Sequence, residues 1–224
     1  MKEKKYLVVS DVHENESEVN DLIKFYRPDH VLDCGDHEDS FYTDKRIPWY
    51  FIHGNHENFK EIKELRYNNP NKYKNLHYIP PGEKVKIDNL NVTGFGGNYS
   101  HKSYFGEKKP KPFHITRDDY KKVVNMRGKK NIDLLLMHES SLELWKDSIF
   151  EGEFGNTVCS TIVKYFENLQ MVVSGHYHKP RRRTINKTEH ISLSPPRVYN
   201  HLLLTKKNKK VQIEEYFNED IPFL

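Results

Sequence analysis

The stretch Trp-Tyr-Phe-Ile-His-Gly-Asn-His-Glu, residues 49–57, places three polar side chains directly after an apolar run of strand type. Gly54 permits a tight exit from such a strand. Asn55, His56 and Glu57 then follow the carboxyl end of the strand, which is where open α/β sheets bind ligands. Alone, this stretch is also typical of a loop with a solvated histidine. Its meaning therefore depends on partners supplied by the rest of the chain.

Two earlier segments end in the same way. Residues 5–10 (KYLVVS) are short, apolar and β-branched, which predicts a buried strand, and Asp11 and His13 follow it. Residues 30–33 predict a second strand that leads into Asp36. A helical pattern separates these two strands. Alternating strands and helices favour a parallel sheet with right-handed crossovers, so the three polar clusters should emerge at the same sheet edge.

The second half of the chain predicts two more strands with histidines at their ends. The apolar run 132–137 ends at His138, and residues 170–174 lead into His176 and His178. Further along the chain, residues 181–217 predict three or four antiparallel strands.

Two residues are typical helix N-caps in the second half of the chain. Thr116 and Asn156 each precede a helical pattern. The apolar tail, residues 222–224, is expected to pack back on the domain.

Composition limits the class of protein. With 224 residues, a net charge of +4 and 30% charged residues, we expect a single domain, 1–224, and only a mild basic bias. No apolar run approaches the ~18–20 residues of a spanning helix. Cys34 and Cys159 are the two cysteines, too few for a disulfide framework. We therefore expect a cytoplasmic protein with no signal peptide and no membrane partner.

The five strand ends together present metal-binding groups. These are Asp11, His13, Asp36, Asn55, His56, His138, His176 and His178. Oxygen and imidazole ligands without thiolates suit manganese, iron or zinc, with nickel or magnesium as further alternatives. Eight groups exceed what one ion needs, so two divalent ions sharing a carboxylate are predicted. Two ions ~3.5–4 Å apart are the usual clamp for displacement at phosphorus.

In chain order, the motifs Asp-x-His, Gly-Asp, Gly-Asn-His-Glu, His and Gly-His-x-His resemble those of the calcineurin-like metallophosphoesterase superfamily. The resemblance extends from Asp11 to His178. It implies an α/β fold, a four-layer α/β/β/α sandwich, with the metal site at the carboxyl ends of the strands. It also implies a dinuclear-metal phosphoesterase in which a metal-bridging hydroxide attacks phosphorus.

The resemblance assigns a role to each motif residue. Four residues would hold the first metal: Asp11, His13, Asp36 and His178. Four would hold the second: Asp36, Asn55, His138 and His176. His56 would be the general acid or transition-state stabiliser at the leaving oxygen. Asp39 matches the carboxylate that orients this histidine in phosphatase relatives. Glu57 is expected to support the next helix start, and His37 and His53 to be surface or packing residues.

Three departures from the family pattern bear on which branch of the superfamily the chain resembles. Glu14 stands where the family commonly has glycine, and its role is open. Ser40 stands where serine/threonine protein phosphatases have an arginine, so a phosphate clamp is missing. Residues 192–196 replace the Asn-Pro-Gly-Ser that often follows in small bacterial phosphodiesterases.

Two basic segments bear on the substrate. Residues 96–111 combine glycines, lysines and aromatic side chains, including Tyr99 and His101, and Arg181 and Arg182 directly follow the last histidine motif. Aromatic rings interleaved with cations suit single-stranded nucleic acid. A solvated, lysine-rich surface is the alternative interpretation. The middle of the chain also faintly resembles lariat-debranching enzymes, although those tend to have cysteine at the position of Asp11.

These observations favour a phosphodiesterase acting on a nucleotide or nucleic acid. A phosphomonoesterase is the first alternative. A non-catalytic binding scaffold with the same fold is the second, but every motif position is filled here, including His56. Oligomeric state is not predicted by any of these patterns.

Overall fold

The computed structural model describes residues 3–127, 129–196, 200–207 and 210–217, which form two mixed six-stranded sheets and six α-helices. The strands are β1 (Lys4–Val9), β2 (His30–Asp33), β3 (Trp49–Phe51), β4 (Leu76–Tyr78), β5 (Lys84–Ile87), β6 (Leu90–Phe95), β7 (Leu134–Met137), β8 (Met171–Ser174), β9 (Arg181–Ile185), β10 (Thr188–Ser192), β11 (Asn200–Lys207) and β12 (Lys210–Phe217). The helices are α1 (Glu16–Tyr26), α2 (Phe59–Tyr67), α3 (His101–Tyr104), α4 (Arg117–Val124), α5 (Leu142–Trp145) and α6 (Thr157–Lys164).

The first sheet has the order β12-β11-β1-β2-β3-β4. Strands β1 to β4 are parallel, whereas β11 is antiparallel to both β1 and β12. Because β1, β2 and β3 run side by side in one direction, their carboxyl ends meet at one edge. This confirms the expectation that the three amino-terminal polar clusters emerge together.

The second sheet has the order β5-β6-β7-β8-β10-β9, with β6, β7 and β8 parallel. Residues 181–217 were expected to form three or four antiparallel strands, and the described residues form four, in the antiparallel pairs β9–β10 and β11–β12. Strand β10 pairs with β8 in parallel, and β11 pairs with β1 of the first sheet. A local pattern predicts strands but not the distant strand that each one joins.

The core consists of three apolar layers. Alternate side chains of a strand point to opposite faces, so Tyr6 and Val8 of β1 face the second sheet while Leu7 and Val9 pack under α1. In the second sheet the same alternation directs Leu135 outward, into the cluster that includes residues of α4 and α6. Helix, sheet, sheet and helix are therefore stacked in that order, which confirms the predicted four-layer sandwich.

Both predicted helix N-caps are present. The Thr116 hydroxyl accepts a hydrogen bond from Asp119 N (3.1 Å), and the Asn156 side chain accepts one from Cys159 N (2.8 Å). Within the residues that the structure describes, no helix is both long and apolar enough to cross a membrane. The expectation for the tail, residues 222–224, lies outside the described residues, and the single-domain assignment of 1–224 remains a prediction.

Candidate metal centre

The carboxyl ends of the central strands bring the seven predicted ligands together. One group consists of Asp11, His13, Asp36 and His178, and another of Asp36, His138 and His176. Within each group, one ligand atom per residue lies within 4.8 Å of the others. Asn55 joins the second group, because its Oδ1 lies 3.0 Å from His138 Nε2. Asp36 belongs to both groups.

The backbone of this cluster is conformationally unusual. A positive φ in a residue other than glycine costs about 1–3 kcal/mol, and such strain concentrates at functional sites. Five of the seven predicted ligands have it: Asp11 (φ 54°), His13 (49°), Asp36 (71°), His176 (69°) and His178 (52°). The strained turns at the strand ends direct these side chains toward a common point instead of continuing each strand.

Two glycines allow the loops of the cluster to approach each other closely. A Cβ atom at Gly54 would overlap the Asp36 carboxylate and the His138 ring. A Cβ atom at Gly175 would overlap the Asp11 carboxylate. Gly54 was expected to serve the exit from β3, but the stronger requirement is space for the side chains of neighbouring loops.

Asp36 is buried and held as a carboxylate. Its Oδ1 accepts hydrogen bonds from the main-chain N–H groups of Asn55 (2.6 Å) and His56 (2.8 Å). Burial alone would raise the pKa of Asp36, but the charge of His138 and these two hydrogen bonds outweigh it and lower the pKa below its ordinary value. The shared member of both groups is therefore negatively charged.

His138 shows that a positive charge is favoured beside Asp36. Its Nδ1 donates to the carbonyl of Cys34 (2.9 Å), which directs Nε2 toward Asp36 Oδ1 at 3.4 Å. Burial would lower the pKa of His138, but the charges of Asp36 and Asp11 outweigh it and raise the pKa. A space that stabilises a proton among carboxylate, amide and imidazole groups suits a divalent cation as well. The residues therefore fit a metal site.

His176 lies among polar groups that the sequence did not single out. Its Nε2 is 3.1 Å from Asn98 Nδ2 and 3.4 Å from Glu139 Oε1. Burial, reinforced by the charge of His138, lowers the pKa of His176 to about 4, which favours the neutral ring that a metal ligand requires. Glu139 is itself fixed by Tyr99 N (2.8 Å) and Asn156 Nδ2 (2.6 Å). The sequence signal that could have identified Glu139 is its position directly after His138, a predicted metal ligand.

His56 lies beside the cluster but belongs to neither group. Its side chain is exposed, and its ring centroid lies 5.6 Å from that of His13. Asp39 is exposed at the start of a short 3₁₀ helix, Asp39–Phe41, and in the described part of the chain no hydrogen bond or ion pair joins it to His56. The nearby Glu38 instead places Oε1 3.6 Å from His13 Nδ1. The assignment of Asp39 as the orienting carboxylate remains a prediction.

Glu57 connects two loops of the cluster. Its carboxylate accepts hydrogen bonds from Asp36 N (3.0 Å), Gly54 N (2.8 Å) and the Tyr42 hydroxyl (2.6 Å). Asn58, not Glu57, caps α2, since its side chain accepts from the first N–H groups of that helix. The expectation that Glu57 supports the helix start was therefore wrong. Its carboxylate braces the backbone of Asp36.

His37 and His53 are both fully packed, and His37 is more than a packing residue. Its ring lies between Asp33 Oδ2 (2.9 Å) and Glu57 Oε1 (3.2 Å). Burial would lower the pKa of His37, but these two carboxylates outweigh it and raise the pKa to about 10. His53 Nδ1 contacts the Tyr78 hydroxyl at 2.8 Å. Both were expected to be surface or packing residues, and the structure shows that both are packed in the interior.

The predicted substrate-binding residues lie in two places. Arg181 donates to the carbonyls of Leu144 (2.6 Å) and Lys146 (3.2 Å), so its guanidinium fastens the end of α5. Arg182 is half-exposed and pairs with Glu189 at 2.8 Å. The contacts of Arg181 were not predicted from the sequence, because Leu144 and Lys146 lie 37 and 35 positions away from it. Substrate binding by either arginine remains a prediction.

Tyr99 and His101 follow Asn98, whose side chain contacts His176. The Tyr99 main chain contacts Glu139, and its ring packs on Tyr104 with centroids 5.6 Å apart. His101 is exposed and packs on Phe105 with centroids 4.6 Å apart. Their binding of substrate likewise remains a prediction.

Comparison of the chain with known folds gives several similar structures. A dimetal phosphatase from Danio rerio superposes with a TM-score of 0.61 at 11% identity, covering 95% of this chain and 95% of that one. The Plasmodium protein GAP50, described as the anchor in the inner membrane complex, gives a TM-score of 0.62 at 10% identity, with coverage of 98% and 86%. A putative 5'-nucleotidase from Staphylococcus aureus gives 0.58 at 14% identity, covering 95% of this chain but 53% of that one. At these identities the likeness concerns the fold alone.

Sequence comparison identifies the family. No curated protein sequence matches the chain significantly. A family model described as calcineurin-like phosphoesterase, however, matches residues 4–180, which span all the motifs from Asp11 to His178. The chain therefore belongs to the calcineurin-like phosphoesterase family and is a metal-dependent phosphoric ester hydrolase.

Proposed function

We propose that this protein is a dinuclear-metal phosphodiesterase that acts on a nucleotide or a nucleic acid. The observation that carries the proposal is the pair of ligand groups that share Asp36. His56 lies beside these groups and belongs to neither of them. Two adjoining sites with a common carboxylate suit a pair of ions at one phosphorus atom. A single structural ion would need only one of the two groups.

Each predicted metal ligand and catalytic residue has a role in this proposal. Four residues would hold the first ion: Asp11, His13, Asp36 and His178. Four would hold the second: Asp36, Asn55, His138 and His176. Bound divalent ions would lower the pKa of a water molecule and offset negative charge at phosphorus. His56 donates a proton to the leaving oxygen, with Asp39 as the carboxylate that orients it.

The charge of the surroundings supports a diester over a monoester. In the described residues, none of the seven ligand side chains has a hydrogen bond or ion pair to a lysine or arginine. The adjacent acidic side chains are instead Glu38 and Glu139, and burial raises the pKa of Glu139 to about 7. A monoester dianion gains most from a guanidinium clamp, and Ser40 stands where protein phosphatases have that arginine. A diester, with a single negative charge, needs the clamp less.

Two alternatives have specific support among proteins of the same fold. The similarity to a dimetal phosphatase supports a phosphomonoesterase, and the similarity to a putative 5'-nucleotidase supports a nucleotide as substrate. The GAP50 anchor supports a scaffold role for the fold. In this chain all seven ligand positions and His56 are filled, which favours hydrolysis over a scaffold role.

Metal identity and location complete the proposal. Manganese is the preferred ion, because carboxylate, amide and imidazole groups without thiolate suit it; iron, zinc, nickel and magnesium are alternatives. Both cysteines, Cys34 and Cys159, are free and buried, which supports a reducing, cytoplasmic location.

Parallel assays of two chromogenic esters test the proposal. Purified protein supplemented with Mn²⁺ is expected to hydrolyse bis-p-nitrophenyl phosphate faster than p-nitrophenyl phosphate. Hydrolysis of the monoester alone would replace the diesterase with a phosphatase. A protein that hydrolyses neither ester and retains no metal after purification would favour the scaffold.

A further inference from the structure

The segment 101–117, here called the basic platform, is fastened to the metal centre at both ends. Before it, the Asn98 side chain contacts His176 at 3.1 Å. At its far end, Asn98 N donates to Phe113 O (2.7 Å), and Ile115 N donates to Asn98 O (2.9 Å). The two ends of the platform are thus joined beside a predicted metal ligand. The base of the platform therefore adjoins the metal centre.

The platform holds the net positive charge of the molecule. It contains five basic residues and one acidic residue, a net charge of +4 that equals the charge of the whole chain. The other residues of the chain therefore sum to zero. Such local concentration of charge attracts a polyanion more effectively than the same charge dispersed over the surface.

The lysines of the platform are available to a ligand. Four of them, Lys102, Lys108, Lys109 and Lys111, are exposed, and the ion pairs of the described chain include none of the four. By contrast, the exposed Lys121 of the adjoining helix α4 pairs with Asp118. Burial lowers the pKa of the nearby His114, and the charges of Lys111 and Lys108 lower it further, which is consistent with a positive potential there.

An aromatic surface lies among these lysines. Phe105 is 48% exposed, which is unusual for so large an apolar side chain. The His101 ring lies 4.6 Å from the Phe105 ring, and the Arg117 guanidinium lies 5.1 Å from it. A ring supported by a guanidinium and an imidazole offers a flat face on which an unpaired base can stack.

We propose that the basic platform binds single-stranded nucleic acid, with bases stacking on Phe105 and His101 and phosphates contacting the lysines. Single strands are favoured over duplexes because the bases of a duplex are not free to stack on a protein ring. Exposed rings among cations also distinguish this surface from one that binds an acidic protein by charge alone. The inference deepens the proposed function and rests on it for cleavage of the strand that the platform holds.

Binding without turnover tests the platform. Full-length protein is titrated into fluorescein-labelled (rU)₂₀ in EDTA, and the dissociation constant is measured by anisotropy at several salt concentrations. Phe105→Ala is expected to weaken binding by about 5- to 150-fold, the range for removal of one stacking partner. Lys108→Gln combined with Lys109→Gln should reduce the slope of log K against log salt by roughly 1.4, or about 0.7 for each phosphate that the variant no longer neutralises.

A matched double variant supplies the control. Lys84 and Lys86 are exposed lysines on β5, and their replacement by glutamine removes the same charge outside the platform. This control is expected to keep the wild-type affinity and salt slope, and thermal unfolding would verify that each variant is folded. If both double variants weakened oligonucleotide binding equally, the proposal that the platform binds the strand would be wrong.

Two further outcomes would also overturn the inference. The first is wild-type protein that fails to bind the oligonucleotide, and the second is binding of anionic phospholipid vesicles in its place. The chromogenic ester assay is independent of this measurement. Wild-type protein that hydrolyses the small diester but ignores the oligonucleotide would refute the platform and leave the proposed function standing.

Discussion

Asp36 combines several constraints in one side chain. It has a left-handed backbone (φ 71°), is 2% exposed, and accepts main-chain hydrogen bonds on Oδ1. Its own N–H is held by the carboxylate of Glu57. A residue fixed by its backbone and its side chain cannot relax when a cation binds or leaves. This rigidity is what a shared metal ligand requires, because both ions depend on its position.

Replacement of Asp36 and of His56 should have different consequences. Asp36→Asn is expected to abolish turnover and to loosen both ions, because both ligand groups lose the charge that they share. His56→Ala should lower kcat by about 10²–10⁴-fold, the usual contribution of a general acid, and leave metal content near the wild-type value. Metal analysis after gel filtration, run beside the diester assay, measures both quantities. Equal metal loss in the two variants would contradict the separation of ligand from acid.

Gly54 is predicted to be irreplaceable for a steric reason. In Gly54→Ala the new methyl group would overlap Asp36 and His138, so metal binding should fail, with a loss of about 1–3 kcal/mol of stability from overpacking. Gly152→Ala is the control, since no heavy atom lies within 4 Å of its Cβ position although its φ is +84°. Gly152→Ala should lose about 1–2 kcal/mol of stability through backbone strain and should still bind metal. Thermal unfolding and metal titration distinguish the two; a Gly54→Ala protein that binds metal normally would refute the steric argument.

At the scale of secondary-structure elements, the sequence predicted the strand ends better than it predicted their surroundings. The clusters after β1, β2 and β3 were predictable, because neighbouring parallel strands must end at one edge. The roles of His37 and Glu57 were not, because their contact joins residues 20 positions apart on two loops. The structural contacts of Arg181 were not predicted for a similar reason: its partners, the carbonyls of Leu144 and Lys146, lie 37 and 35 positions earlier in the chain. Periodicity predicts elements, whereas long-range pairing decides what their polar side chains contact.

His190 on strand β10 is predicted to make the stability of the fold decrease at acidic pH. His190 is 3% exposed and has its Nδ1 3.2 Å from the Ser141 hydroxyl. Burial lowers the pKa of His190 to about 4, although the charges of Glu143 and Glu189 oppose the shift. The unfolded chain takes up this proton near pH ~6.5, so the unfolded state binds more protons between about pH 6.5 and pH 4. The contribution of His190 to stability is therefore complete above about pH 6.5 and is lost as the pH falls toward about 4.

Urea unfolding at pH 7 and pH 4.5 measures this effect. Between pH 7 and pH 4.5 the free energy of unfolding of the wild-type protein should fall by about 2–3 kcal/mol more than that of His190→Gln, because glutamine has no proton to gain. His101→Gln, which changes an exposed histidine, should behave as wild type does. Parallel acid profiles for wild type and His190→Gln would show that the histidine contributes nothing to the pH dependence.

At the scale of the whole molecule, the family match ends at an earlier residue than the two sheets do. The match ends at residue 180, just after the last predicted ligand. The structure nevertheless needs later strands to complete both sheets, with β10 covering β8 and β11 covering β1. Strand β1 leads directly to Asp11. The segment after residue 180 therefore supports the metal centre without containing any predicted ligand.

Truncation tests this dependence. A chain ending at residue 199 lacks β11, whose Leu202, Leu203 and Leu204 are buried and pair with β1. Burial of a leucine contributes about 1.5–3 kcal/mol, so the loss of three is comparable with a typical total stability of about 5–15 kcal/mol. It would also expose β1 as an apolar edge that invites aggregation. We expect this chain to be insoluble or unfolded and not to bind Mn²⁺.

The matched truncation ends at Lys207 and keeps β11 while removing β12. Because β1 remains paired and Leu202 to Leu204 remain in place, this chain should elute as a folded species and bind Mn²⁺ with reduced thermal stability. Size-exclusion chromatography and metal titration compare the two forms. If the chain ending at residue 199 folded and bound Mn²⁺ as tightly as the one ending at Lys207, β1 would not need its antiparallel neighbour. The metal centre would then depend on the parallel strands alone.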